Sequence, residues 1–309
     1  MTGPISLTAR TPEDLLAVVR VVLGFEPAAS VVMLTLGARH AFHARVDLPA
    51  DVVDLAEVVD LLLRPAVGHR AQRVVFVVFT DDDRRAWRVI RALERRFDSA
   101  GIEVLEALRV HGGQWHRRSG PTRSRGVAYD ISTHPFVTAA VVEGRVLHGS
   151  REALADTLAG RPDQVAAVER SLPQPGASAA WVAQLVARHA DSASAPSDAE
   201  SARLLLAVAD PQVRDAAWAG IGREAARRHV ELWSGLVRRC PEDLVPHAAG
   251  VLAFAAWLAG DGALAWCAVD RARAVDPAHS LVDLVADLLE GAVPPSQWEQ
   301  RAPELGSAS

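Results

Sequence analysis

The sequence predicts two domains: an α/β domain with a mixed sheet and flanking helices over residues 1–160, and an all-α domain over residues 161–309. Strand-like and helix-like patterns alternate in the first part, whereas strand-like patterns nearly vanish after His134. Prolines then separate one helical pattern from the next. A chain of 309 residues that is 50 % hydrophobic is long enough to build both cores.

The first element is a helix predicted at residues 11–24, TPEDLLAVVRVVLG. Thr11 precedes Pro12 and stands three residues before Asp14, which is typical of a capped helix amino terminus. Gly24 follows the last apolar position and predicts the end of this helix. The same half contains two further helical patterns, at residues 51–65 and at residues 82–100.

Five stretches have strand-like patterns: residues 30–36, 40–48, 73–80, 102–110 and 126–132. The first two predict a hairpin, because only residues 37–39 separate them. RVVFVVFT, residues 73–80, is apolar almost throughout and predicts a central strand that is buried on both faces. The last two can pair with each other across the loop between them, which gives a sheet of mixed strand directions.

The helical half contains one pattern of finer detail, near residues 246–279. Small residues at Ala253, Ala265 and Ala272 precede the Asp276-Pro277 turn, and this spacing resembles a tetratricopeptide helix pair. Only one such unit is clear, whereas stacked repeats need about three. An unrelated helical bundle is therefore the alternative.

Composition and charge restrict the function. All 33 basic residues are arginine, which indicates a GC-rich coding bias and weakens arginine content as evidence for nucleic-acid binding. The net charge of −5 points the same way, since nucleic-acid-binding domains are usually basic. Residues 1–160 contain 20 arginines and 19 acids, and residues 161–309 contain 13 and 19. We therefore expect any anion-binding surface to lie in the N-terminal half.

Cysteine usage predicts the compartment. Cys240 and Cys267 are the only cysteines and fall inside helical patterns, so neither a disulfide framework nor a metal cluster is expected. The first residues lack the charged and apolar regions of a signal peptide, and no apolar run reaches the ~18 residues of a membrane span. We expect a cytoplasmic protein without cofactor, metal or membrane contact.

Two segments carry a family resemblance. LLAVVRVVLGFEPAASVVMLTL (residues 15–36) combines a helix, a G-F-x-P-x-x-S turn and a valine-rich strand, and GRVLHGSREALADTLAG covers residues 144–160. Both resemble parts of the actinobacterial domain-of-unknown-function family 4192, over roughly residues 5–290. The resemblance implies an actinobacterial, cytosolic protein and supplies no function. It also implies cysteines after the V-x-x-G-x-W strand. Here Val110, Gly113 and Trp115 keep the register, but HRRSGPTRSRG contains no cysteine, so metal or redox chemistry at those positions is not expected.

The segment TDDDRR, residues 80–85, is the first candidate site, because it follows the central strand and precedes a helix. Ligands of open α/β sheets bind at that edge, and clustered aspartates there could hold Mg²⁺. The alternative is structural: Asp81 or Thr80 caps the helix, and the acids face the positive end of its dipole. The candidate ligand-binding residues here are Asp81, Asp82, Arg84 and Arg85.

A stripe of arginines is the second candidate. The spacing of Arg84, Arg88, Arg91 and Arg95 places them on one helix face, opposite the apolar residues. A solvated polar face is the usual explanation for such a stripe. If strands 73–80 and 102–110 are parallel, however, the start of this helix shares a sheet edge with the loop after the second strand.

That loop, HGGQWHRRSGPTRSRG, covers residues 111–126 and is the third candidate. Arg117 and Arg118 could face the helix arginines and favour a phosphorylated ligand or another acidic partner, and Trp115 could stack a base. The structural alternative is a hairpin extension whose two-residue turn is Gly112-Gly113. The loop is not a phosphate cradle, because no helix is predicted directly after it.

No G-x-S-x-G, H-E-x-x-H or C-x-x-C motif occurs, so the sequence indicates no enzyme and assigns no catalytic residue. We therefore predict a regulatory or scaffolding protein that binds a partner protein through its helical domain. Two alternatives stay open. The first is binding of a nucleotide or phosphorylated ligand, possibly by an enzyme, at the sheet edge near Thr80–Arg85. The second is nucleic-acid binding through the arginine stripe and the basic hairpin, which would weaken steeply with salt.

Overall fold

The computed structural model describes residues 9–40, 42–48, 55–172, 176–218 and 220–298. The chain forms two compact units, Met1–Arg151 and Glu152–Ser309. The predicted boundary between residues 160 and 161 lies further along the chain, just before a helix that begins at Pro162. Among the described residues, no helix is both long enough and apolar enough to cross a membrane.

The first unit is a mixed sheet with helices on both faces. Its elements are α1 (Pro12–Leu23), β1 (Ser30–Leu36), β2 (His43–Asp47), α2 (Leu55–Gly68), β3 (Arg73–Phe79), α3 (Asp83–Ser99), β4 (Glu103–His111), β5 (Gln114–Arg117), α4 (Thr122–Arg125), β6 (Val127–Ala128) and α5 (Pro135–Val142). The strand order is β2-β1-β3-β4-β5-β6. Only β3 and β4 pair in parallel, and the other neighbours are antiparallel. The predicted mixed sheet is confirmed.

Alternation along the strands divides the core into two layers. Val31 and Met33 of β1 pack with α2 and α3, whereas Val32 and Leu34 point to the opposite face. β3 is buried from its second residue onward, as the apolar run predicts for a central strand. Each face of the sheet is therefore covered.

The local signals at the ends of α1 are confirmed. The Thr11 hydroxyl accepts a hydrogen bond from the Asp14 N–H at 3.1 Å, and the Asp14 carboxylate accepts one from the Thr11 N–H at 3.0 Å. Backbone hydrogen bonds to the carboxylate, that of Arg10 foremost, lower the pKa of Asp14. Gly24 ends the helix in the left-handed region, at φ 72°.

Two predicted elements are shorter than expected. β2 begins at His43 rather than at residue 40, and the Arg39 N–H before it donates to the His69 carbonyl at 2.9 Å. β6 covers only Val127–Ala128, and the Asp130 carboxylate accepts from the Ser132 N–H at 2.8 Å in a turn soon afterwards. The first residues of the helix predicted at residues 51–65 lie outside the described part of the chain.

Gly126, between α4 and β6, gives a stability prediction. Its backbone has φ 63° and ψ 172°, and an added Cβ would lie 2.6 Å from Cε1 of the buried His116. We expect Gly126→Ala to lower the free energy of unfolding by about 2–3 kcal/mol, because glycine alone tolerates this conformation and the imidazole has little room to move. Chemical unfolding would measure the change. In the control Gly149→Ala the added Cβ has nothing within 4 Å, and equal losses in the two variants would contradict the prediction.

Among the described residues of the second unit, all regular secondary structure is helical. It contains α6 (Arg151–Asp156, which begins at the boundary), α7 (Pro162–Arg170), α8 (Ala179–Ser192), α9 (Asp198–Ala207), α10 (Pro211–Trp218), α11 (Ala226–Val237), α12 (Val245–Leu258), α13 (Gly262–Arg273) and α14 (Ser280–Glu290). Every residue of α12 except His247 is buried, so this helix forms the centre of the unit. Ala253, Ala265 and Ala272 are fully buried in the α12–α13 pair. The tetratricopeptide-like character of this pair stays a prediction.

Candidate functional site

The segment Thr80–Arg85 lies where the sequence places it, at the carboxyl end of β3 and the start of α3. Phe79 of β3 pairs with Val110 of the parallel strand β4, so the two strands end at the same edge of the sheet. This edge is the place where open α/β sheets bind ligands. Whether it is open depends on the side chains that fill it.

Arg109 of β4 occupies this edge. Its side chain is buried, and Nε donates to the Thr80 carbonyl at 3.1 Å while Nη2 donates to the Asp81 carbonyl at 2.6 Å. Nη1 lies 3.4 Å from the Asp83 carboxylate, which also accepts from Trp87 Nε1 at 2.7 Å. The guanidinium of Arg109 thus donates hydrogen bonds to the backbone carbonyls of the turn that follows β3. We interpret the segment as a structural junction between β3 and α3.

The helix cap at this junction differs from the prediction. Asp82, and not Asp81 or Thr80, caps α3, and its carboxylate accepts from the Arg85 N–H at 2.9 Å. That hydrogen bond is the main cause that lowers the pKa of Asp82. The Thr80 hydroxyl accepts from the Asp82 N–H at 3.2 Å and shapes the turn before the helix. No group of three or more histidine, cysteine, aspartate or glutamate residues suited to a metal occurs in the described part of the chain.

The candidate arginines of α3 have different surroundings. Arg85 is half-buried, and its Nη2 donates to the Leu48 carbonyl at 3.1 Å, so it ties α3 to the end of β2. Arg84 and Arg88 lie exposed on the helix surface, as do Arg91 and Arg95. The arginine stripe therefore exists as a solvent-facing surface.

The basic loop forms a hairpin, as its structural interpretation predicts. Gly112 and Gly113 have φ 57° and 71° and join His111 to Gln114 in a two-residue turn. β5 then runs back along β4, so the loop's arginines are carried away from the sheet edge. This reversal determines which side chains the arginines of the loop contact.

Trp115 and Arg117 lie on the face of the sheet that α1 covers. Trp115 is buried and donates from Nε1 to the Glu13 carboxylate of α1 at 2.8 Å, so it is not free to stack a base. Arg117, two residues on, points to the same face, 5.4 Å above the Trp115 ring and 2.7 Å from the Glu106 carboxylate. Arg118 points to the other face and lies 3.5 Å from Glu94 of α3. Arg117 thus lies on the face opposite α3 and does not join Arg84, Arg85 and Arg88.

A cavity in the helical unit has a different character. It has a volume of about 190 Å³ and lies between the end of α8, the loop of residues 193–196 and α11. Its polar and charged lining residues are His189, Ser194, Arg228, Glu231, Arg238 and Arg239. Three arginines and one glutamate therefore line the same space.

The loop that forms one wall is held by its own hydrogen bonds. Ala193, the residue directly after α8, adopts the left-handed region at φ 49°, a conformation that is costly for a residue with a side chain. Ser197 caps α9 in a capping box with Glu200, and a backbone hydrogen bond from Ser197 is the largest cause that lowers the pKa of Glu200 to about 2. Pro196 is buried between these two ends. Hydrogen-bonded helix ends therefore bound this loop on both sides.

His189 and Ser194 resemble part of a catalytic triad, but their hydrogen-bond directions do not fit one. Arg188 can only donate, so His189 Nε2 accepts from its Nη2 at 3.0 Å, and Nδ1–H then donates to Ser194 Oγ at 2.7 Å. Ser192 Oγ donates to the Arg188 carbonyl at 2.7 Å and accepts from the Ser194 hydroxyl at 2.7 Å. A serine nucleophile needs an imidazole that accepts its proton. Here the Ser194 hydroxyl directs its proton to Ser192 Oγ, away from the imidazole of His189.

The arginines of the cavity are only partly neutralised. Arg239 donates from Nη1 to the Pro196 carbonyl at 3.1 Å and lies 3.7 Å from Asp198, while its buried Nε has no hydrogen-bond partner among the described residues. Arg228 lies 3.4 Å from Asp191. Burial, followed by the like charges of Arg161 and Arg239, lowers the pKa of Arg238. An arrangement of this kind has the charge and the hydrogen-bond donors that an anion requires.

Sequence reasoning missed this cavity. Its residues come from positions 189 to 239, and the charge count of residues 161–309 is negative, which favoured the other half. The one local signal is the pair Arg238-Arg239 directly after a helix, and such a pair is usually solvated.

Comparison with known proteins gives one match. The family model described as Domain of unknown function (DUF4192) matches residues 12–296. No curated protein and no solved structure matches significantly.

Proposed function

This chain belongs to the family described as Domain of unknown function (DUF4192), and on that premise we propose that it is a regulatory or scaffolding protein whose helical unit binds an acidic group of a partner protein. The observation that carries the proposal is the cluster of Arg228, Arg238 and Arg239 around one cavity. Guanidiniums hold carboxylates and phosphates through charge-assisted and often bidentate hydrogen bonds.

The size of the cavity favours a group on a partner over a whole small ligand. Sites for drug-sized ligands and cofactors have volumes of about 300–1,000 Å³. At about 190 Å³ this cavity has room for one acidic side chain, with the remainder of the partner outside. The surrounding surface would then supply the other contacts.

Three features of the helical unit support a binding role. In the hydrogen-bond chain that links Arg188, His189 and Ser194, the imidazole donates to Ser194 and does not accept its proton. Ser194 is therefore not activated as a nucleophile, and we propose no catalytic step at the cavity. The α12–α13 pair, with its buried small residues, fits a tetratricopeptide-like scaffold. Cys240 and Cys267 are buried and are not joined in a disulfide, which suits the proposed cytoplasmic location.

The two alternatives have less support. Arg109 fills the sheet edge near Thr80–Arg85 that a nucleotide or other phosphorylated ligand would need. For nucleic acid, the exposed stripe on α3 is present, but Arg117 pairs with Glu106 on the other face of the sheet. We therefore place the binding site in the helical unit.

Binding of short acidic peptides to the full chain tests the proposal. We expect fluorescein-labelled peptides with one central glutamate or phosphoserine to bind at 0.15 M salt, and Arg238→Gln to weaken binding about tenfold, since a charge-assisted hydrogen bond contributes about 1.5–3 kcal/mol. Fluorescence polarisation gives the Kd.

Arg227→Gln is the matched control, because Arg227 is exposed on α11, the helix that Arg238 follows, and does not line the cavity. Binding that is equally strong in wild type and Arg238→Gln would contradict the proposal. So would the absence of binding by both peptides.

A further inference from the structure

The charge balance of the cavity distinguishes between acidic groups. Three guanidiniums and one carboxylate give the described lining a net charge of +2. A carboxylate neutralises one of these charges, whereas a phosphate monoester, which carries about −1.5 to −2 at pH 7, neutralises nearly both. The further like charge of Arg161 close to Arg238 increases the demand for a dianion.

The surrounding carboxylates do not meet this demand. Asp191 and Asp198 lie 3.4 Å and 3.7 Å from the nearest guanidinium nitrogens of Arg228 and Arg239, and neither lines the cavity. Charge-assisted hydrogen bonds are much shorter, about 2.7–2.9 Å. These two ion pairs are therefore loose, and N–H groups of both arginines stay available to a ligand.

The number of donors fits a tetrahedral group. Arg228 approaches from within α11, whereas Arg238 and Arg239 follow the carboxyl end of the same helix, so donors come from separate positions around the space. A phosphate monoester has three terminal oxygens that each accept several hydrogen bonds. A planar carboxylate offers only two oxygens to the three guanidiniums.

We propose that the acidic group bound in this cavity is a phosphate monoester, carried on a phosphorylated side chain of the partner. This inference rests on the proposed function and specifies its ligand chemistry. A free sugar phosphate would present the same chemistry from another source, so the experiment includes it.

The test compares three peptides of one sequence that differ only at the centre, where they carry serine, glutamate or phosphoserine. We expect the phosphoserine peptide to bind the full chain about tenfold more tightly than the glutamate peptide at pH 7.5, and the serine peptide to bind more weakly than both. In Arg238→Gln the advantage of phosphoserine over glutamate should shrink, while Arg227→Gln should keep it. The unfolding midpoint of each variant shows that it is folded.

The pH dependence adds a readout that belongs to the ligand. The second pKa of a phosphate monoester is about 6, so at pH 5 about nine-tenths of the dianion is lost, and the advantage of phosphoserine over glutamate should fall several-fold. Besides the three arginines, the charged and titratable groups that line the cavity or contact its lining residues are His189, Asp191, Asp198, Glu200, Glu231 and Arg161. Both peptides meet the same protein groups at each pH, so the readout is the ratio of the two Kd values.

The outcomes separate the inference from the proposed function. Equal Kd values for the glutamate and phosphoserine peptides at both pH values overturn the inference and leave the proposed function standing. Tighter binding of glucose 6-phosphate than of the phosphoserine peptide would agree with a phosphate ligand. It would contradict the proposal that the phosphate is carried on a partner protein. Binding of none of the probes overturns both.

Discussion

Replacing Phe254 with alanine is expected to destabilise the helical unit by about 3–5 kcal/mol. Phe254 lies on α12, is fully buried, and its ring centre is 4.9 Å, 5.6 Å and 5.2 Å from those of Trp218, Trp257 and Trp298. Alanine would leave a cavity among large rigid rings, which have few alternative rotamers with which to fill it. The loss of stability therefore includes the free energy of transferring the ring out of water and the free-energy cost of the empty cavity.

Urea unfolding followed by tryptophan fluorescence measures this change, because three of the eight tryptophans contact the substituted ring. Phe254→Leu is the matched control, since leucine keeps most of the apolar volume and should cost less than about 1.5 kcal/mol. A loss below 1 kcal/mol for Phe254→Ala would mean that α12 is not the centre of this unit.

The features that the sequence predicts correctly depend on residues close together in the chain. The capping-box residues Thr11 and Asp14 stand three positions apart, and the Gly112-Gly113 turn needs only the two β-type runs beside it. β3 is recognisable because a strand covered on both faces must be apolar at nearly every position. In each case the backbone geometry demands particular residues at a short, fixed spacing.

The functional features depend on contacts between distant residues, which periodicity does not show. In IEVLEALRV, Arg109 reads as an ordinary polar position of an alternating strand, yet its hydrogen-bond partner Thr80 is 29 residues away. The cavity likewise unites the end of α8 with Arg238 and Arg239 beyond α11. A net charge summed over half of the chain adds the charges of such a cluster to those of every solvated acid in that half, so the cluster does not stand out. The arginine cluster is thus visible only after folding.

The hairpin shows how one turn changes a predicted site. Parallel pairing of β3 and β4 brings the loop to the edge where α3 begins, as the hypothesis required. The two-residue turn then reverses the chain at once, and strand alternation sends Arg117 and Arg118 to opposite faces. The prediction of a shared edge was correct, and the arginines still do not converge there.

Arg109→Ala is expected to lower the free energy of unfolding of the sheet unit by about 3 kcal/mol, the second largest effect among the variants. The substitution removes two charge-assisted hydrogen bonds to the carbonyls of Thr80 and Asp81 and the ion pair with Asp83. The two carbonyls then lose the guanidinium that donates to both of them.

Two companion variants separate charge from geometry. Arg109→Lys keeps the positive charge, but an ammonium group cannot make the three contacts of a planar guanidinium together, so most of the loss should remain. Arg84→Ala removes an exposed arginine from the same junction and should change stability by no more than about 0.5 kcal/mol. Chemical unfolding by circular dichroism measures all three. If Arg109→Ala were as stable as Arg84→Ala, the guanidinium would not hold the β3–α3 junction. Ligand binding at the sheet edge would then again be a supported hypothesis.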